Sequence, residues 1–125
     1  MEQETVAALE AVAAYRARSG HEVVAGFVEL LAMDNVTGSV PDLERNAAFI
    51  AERFAGLGAE MDVVQRDGAA PVVVGHLRTT DPTATIGVYV HYDGQPVDSS
   101  EWSTPPFQPT LASGPWHEGG EVLQV

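Results

Sequence analysis

A change of hydrophobic period around Gly58 constrains the fold of this chain more than any other feature. Before it, Leu43, Ala47, Ile50, Phe54 and Leu57 recur at intervals of four and three, the spacing that lines one face of a helix. Ser39 stands as a helix N-cap, Pro41 suits the first turn, Asp42 and Glu44 sit where the helix dipole favours anions, and Gly56 and Gly58 form the stop. After it the apolar residues come in short β-branched runs: Met61, Val63 and Val64; then Val72 to Val74 with Leu77; then Ile86, Val88 and Val90 around Tyr89. Asp67-Gly68 and Asp81-Pro82 punctuate these runs as turns. Near-continuous β-branched runs are expected of strands covered on both faces. The predicted fold class is therefore α/β, with N-terminal helices followed by the first strands of a mixed sheet, and residues 43–57 as a covering helix. Upstream, residues 4–19 read as a helix with Val6, Leu9, Val12 and Ala13 on one face and Gly20 as its stop. A second helix from His21 to Met33 carries Val23, Val24, Phe27, Leu30 and Leu31, and a loop follows at Asp34-Asn35 and Gly38. There is no repeat, low-complexity tract or linker, so residues 1–125 read as one unit without an internal boundary.

Composition narrows the partners. The formal charge is −12, from 18 acidic and 6 basic residues, which repels phosphate backbones and anionic membrane surfaces. Neither nucleic acid nor membrane is an expected partner. The chain has no cysteine, so it offers no disulfide framework, and any transition metal must be held by His, Asp and Glu. The N-terminus opens with glutamates and lacks the basic region of a signal peptide, and no apolar run approaches the roughly 20 residues that span a bilayer. A cytoplasmic location is the default expectation.

The chemistry concentrates where the third predicted strand ends, at His91 and Asp93. In an extended backbone, side chains two apart share a face, so these two converge just past the strand. Three arrangements are open: both bind one metal; His91 binds it while Asp93 holds the other ring nitrogen; or the two simply pair at a strand end. A zinc site needs three or four ligands, and the other histidines read as surface groups: His21 at a helix start, His76 paired with Arg78 or Asp81, and His117 beside Glu118 in a distal loop. Beyond Asp98, Trp102, Pro105, Pro106, Phe107 and Pro109 form an aromatic, proline-rich loop, and the chain ends on Val122, Leu123 and Val125. Trp102, Phe107 and Tyr92 read either as pocket lining or as anchors on the core.

The run ATIGVYVHYDGQPVDSSEWSTPPFQPTL resembles the metal-site strand of the M20 metallopeptidases, closest to their dipeptidase (carnosinase-like) and deacylase branch. The likeness rests on His91-Tyr92-Asp93, Gln95-Pro96-Val97, Trp102 and Pro106-Phe107-Gln108-Pro109. FVELLAMDNVTG, from Phe27, and NAAFIAERFAGLGAE, from Asn46, resemble the family's opening helix and loop and the helix before its first strand. Val90 departs from the glycine that often precedes the family's histidine.

The resemblance implies a hydrolase of amide bonds with two zinc ions, which polarise the scissile carbonyl and activate a water while a glutamate acts as general base. His91 would be a metal ligand, and Asp93 the catalytic-site residue that orients it. The substrate implied is a small peptide or an N-acyl amino acid. The family's bridging aspartate, glutamate base, remaining ligands and lid domain follow this motif and have no match in the chain. The expectation is thus an N-terminal portion of such a catalytic domain, holding at most one partial zinc site and inactive alone. The alternatives are a non-catalytic binding or assembly module with an M20-like half-fold, pairing an open sheet edge with a partner or with its own copies as a homo-oligomer, and a truncated gene product.

Overall fold

The computed structural model describes residues 2–123; Met1, Gln124 and Val125, the last of them named above in the C-terminal apolar run, lie outside the described residues. Two helices lead: α1, Glu2–Leu31, and α2, Val40–Ala55. Two strands follow, β1, Glu60–Val64, and β2, Val72–His76, and the remainder is loop with short 3-10 turns at Ser99–Glu101 and Trp116–Glu118. The chain is α/β in the general sense, with one helix packed on an antiparallel pair of strands.

α2 forms where its period predicts, and it holds the core. Leu43 and Ala47, one turn apart, are its buried apolar residues, and Asn46 is buried beside them. At its start Ser39 occupies the N-cap position, but its hydroxyl does not cap the backbone; it donates to the carboxylate of Asp42, which Arg45 also engages. A charged acceptor one turn on outcompetes the capping role, because a hydrogen bond to an ionised oxygen is the stronger one. At its end Gly58 adopts φ +90, and the Ala59 N–H returns to the Phe54 carbonyl at 3.1 Å, a Schellman-type closure that leads into β1.

β1 and β2 pair antiparallel in the register Glu60↔His76 to Val64↔Val72. Arg78 reaches back across the hairpin to Glu60 at 3.1 Å, so one of the two partners foreseen for His76 is engaged elsewhere. Gln65 donates to the Ala69 carbonyl at 2.9 Å and to Glu44 of α2 at 2.7 Å, tying the hairpin loop to the helix.

Three expectations are corrected. Gly20 does not stop a helix: α1 runs unbroken through it. A glycine ends a helix when it takes a left-handed backbone and the following residues cannot continue the turn; Gly20 does not, and His21-Glu22-Val23 can. Within a helix it costs only about 1 kcal/mol relative to alanine. The sheet is antiparallel rather than mixed, and its strands are not covered on both faces: Val63, Val64, Val72 and Val74 remain exposed. Residues 86–90 form no strand. A strand exists only against a neighbour's backbone, and among the described residues neither edge of the hairpin takes them. Ile86 is 88% exposed and Tyr89 92%.

The accessible surface is 10331 Å². A compact monomer of 13.3 kDa would expose about 6,500 Å². The excess lies on α1, on the outer face of the hairpin and along 86–90, where large apolar residues face solvent.

The Asp42 cluster predicts a specific acid response. The Ser39 hydroxyl, and then Arg45, hold the Asp42 carboxyl below its ordinary value of 3.8, against an opposing pull from burial. A carboxyl depressed by folding contributes stability that is present above its unfolded value and is lost as pH falls through the folded one. Thermal melts from pH 5 downward should therefore lose stability below about pH 4, and Asp42→Asn should flatten that limb. An Asp42→Asn profile parallel to the wild type would show that the cluster contributes nothing.

Candidate metal corner

His91, Tyr92 and Asp93 lie in a segment that the loop after α1 grips from the side. The Gly94 N–H donates to the Asn35 carbonyl and the Thr37 N–H to the Gly94 carbonyl, each at 2.8 Å, making a short parallel bridge between Val36 and Gly94. Asn35 Nδ2 donates to the Tyr92 carbonyl at 2.8 Å. A Cβ at Gly94 would meet Asn35 Oδ1 at 2.8 Å, so a side chain there would push the Asn35 amide aside. From the other side, the Tyr92 hydroxyl donates to the carbonyl of buried Pro71, fixing the segment to the entry of β2. Half-burial, and then the neighbouring Asp93 charge, push the Tyr92 phenol upward, so it stays a neutral donor.

The gripping loop is itself held by α2. Asn46, 1% exposed, donates to the Asp34 carbonyl at 2.7 Å and to the Asp42 carbonyl at 3.0 Å. Its own Oδ1 is buried without a hydrogen-bond partner. The core helix, the 34–38 loop and the His91–Gly94 segment thus form one hydrogen-bonded chain.

At its end stand the two side chains expected there. Thr37 Oγ1 lies 2.9 Å from Asp93 Oδ2, and the other oxygen, Oδ1, is 3.4 Å from His91 Nδ1. His91 Nδ1 also lies 3.0 Å from the Asp93 carbonyl oxygen. Both atoms facing Nδ1 are acceptors, so in the neutral ring that nitrogen carries the proton and Nε2 keeps its lone pair. The Asp93 carboxyl is held below the usual aspartate range, first by the Thr37 hydroxyl, with His91 assisting and burial opposing. The His91 side chain is 79% exposed. Chemically this is a single imidazole with one nitrogen fixed and the other free, the form in which histidine binds metal. His21 and His117 differ in that each turns Nε2 toward the adjacent glutamate.

Among the described residues, no group of three or more His, Asp or Glu side chains gathers to hold a metal ion. Asp93 faces the ring at Nδ1 rather than the open side of Nε2. Trp102 is exposed and Phe107, at φ +58, half-buried in its own loop. The loop beyond is closed by pairing of Ala112 with Val122, with Leu123 N–H donating to the Leu111 carbonyl at 2.8 Å.

Sequence reasoning placed His91 and Asp93 together but missed Asn35, Thr37 and Asn46, which fix them. Asn46 carried the one available signal, an amide on the buried face of α2 between Leu43 and Ile50. A polar side chain in such a position must find hydrogen bonds, and here they lead to the loop.

No protein-family model, curated protein or solved structure matches the chain. No described helix is long and apolar enough to cross a membrane.

Proposed function

We propose that this chain is the N-terminal portion of a zinc-dependent amide hydrolase of the M20 type, cleaving small peptides or N-acyl amino acids, with His91 a metal ligand and Asp93 its orienting carboxylate. The observation that carries the reading is the state of His91: Nδ1 faces two acceptors supplied by Asp93, and Nε2 is free. Zinc bound there would act as a Lewis acid toward a carbonyl and lower the pKa of a water. What this chain supplies is narrower. His91 presents one lone pair, Asp93 fixes its tautomer, and Tyr92 and Gly94 hold the backbone that spaces them. The large exposed apolar surface supports the further reading that residues 2–123 are one part of a layered catalytic domain rather than a domain with its own complete core.

The test is an assay of dipeptide and N-acyl amino acid hydrolysis by the purified chain with added zinc. The expected result is no turnover, because one imidazole cannot hold a catalytic dinuclear centre. Robust, chelator-sensitive turnover by this chain alone would overturn the claim that further ligands are required.

A second reading is favoured by the exposed run Ile86–Val90: a non-catalytic assembly module that pairs this segment with a second copy. Size-exclusion chromatography separates the two, since a stable oligomer indifferent to zinc supports the module.

A further inference from the structure

We propose that Thr37 is a positioning residue for His91, acting through Asp93: its hydroxyl holds Oδ2 of the carboxylate so that Oδ1 joins the Asp93 backbone carbonyl in favouring the imidazole tautomer protonated at Nδ1. The value of this arrangement to the protein rests on the metallohydrolase reading; the arrangement itself stands on the geometry alone.

An aspartate side chain on an exposed segment rotates about its own bonds, and nothing in a two-residue spacing chooses the rotamer that turns a carboxylate oxygen toward the histidine. Here the choice is made from a distant part of the chain. Thr37 lies 56 residues before Asp93 and is brought beside it by the backbone bridge between Val36 and Gly94. Its hydroxyl is 2.9 Å from Asp93 Oδ2 and also 2.9 Å from the Gly94 carbonyl. One hydroxyl has one proton, and the ionised oxygen is the stronger acceptor. The carboxylate plane is thereby pinned with Oδ1 on the His91 side, 3.4 Å from Nδ1.

The backbone part of the clamp does not depend on this hydroxyl. The Thr37 N–H reaches the Gly94 carbonyl whatever side chain it carries, and Asn35 and Asn46 hold the loop by their own amides. Thr37→Val keeps the shape and the β-branched stiffness at this position and removes only the donor. Thr37→Ser keeps the donor and removes the methyl. The pair therefore separates a role in positioning from a role in packing.

The readout is the tautomer of the His91 ring, observed by long-range proton–nitrogen correlation on the nitrogen-15-labelled chain, without metal, at a pH where the imidazole is neutral. In the wild type, His91 should be predominantly Nδ1-protonated. In Thr37→Val the ratio of the Nδ1–H to the Nε2–H form should fall roughly 2- to 10-fold, the size of one hydrogen bond. Thr37→Ser should restore it, and amide signals away from residues 35–38 and 91–94 should not move. A wild-type His91 in the Nε2–H form overturns the proposal even if a variant fails to fold, and so does a Thr37→Val ratio equal to the wild type. Zinc added to the wild type reports separately on the metal reading. If His91 ignores zinc while its tautomer still follows Thr37, the metal reading fails and the positioning role stands.

Discussion

Replacing Leu43 by alanine should abolish cooperative thermal unfolding of this chain. Leu43 is 2% exposed and, with Ala47, makes up the buried apolar core of the described residues. Removing a buried leucine side chain costs about 2–5 kcal/mol, from the lost transfer of its methyl groups and from the cavity left behind. A compact domain has only about 5–15 kcal/mol in total. This chain, with far more surface than a compact monomer of its mass, begins from the low end of that range. Circular dichroism melts should show the wild-type transition broadened and lost in Leu43→Ala, while Val64→Ala, at an exposed strand position, shifts it little. A Leu43→Ala transition as sharp as the wild type's would mean that the core lies elsewhere. Because Asn46 leaves α2 from the same face, the substitution should also release the 34–38 loop and with it the grip on Asp93.

The second large effect belongs to His91. His91→Ala should remove the zinc-dependent change in the imidazole spectrum expected of the wild type, leaving His21, His76 and His117 as they were. His21 and His117 point Nε2 at neighbouring carboxylates, whereas His91 engages Nδ1 and leaves Nε2 open. Asp93→Asn should weaken the site rather than remove it, by about 10- to 100-fold, the usual effect of losing a ligand's orienting partner. Equal zinc responses in the wild type and His91→Ala would place any binding at another residue.

What the residues foretold and what they did not divide along a physical line. α2 was legible because its period, its acidic first turn and its glycine stop all agree, and because helix formation is local. The strands β1 and β2 were legible as two β-branched runs either side of the Asp67-Gly68 turn, but their antiparallel pairing was not, because it is a property of both segments together. Ile86–Val90 carries an equally strong strand signal and forms no strand, since pairing is a property of two segments and propensity describes one. Gly20 misled in the opposite direction: a helix-breaking residue was given more weight than the helix formers on both sides of it. At the site, the convergence of His91 and Asp93 followed from a two-residue spacing in extended backbone. The clamp that gives them fixed roles joins residues 34–38 to 92–94, and no local pattern encodes a contact across that distance. Asn46 was its single trace, as an amide out of place on an apolar face.

The measurement that bears most directly on the account is a zinc titration of the nitrogen-15-labelled chain, followed at each histidine ring. Nε2 of His91 should shift at lower zinc concentration than any nitrogen of His21, His76 or His117, the binding should be weak, and a chelator should reverse it. A His91 ring that stays unchanged while another histidine responds would contradict it.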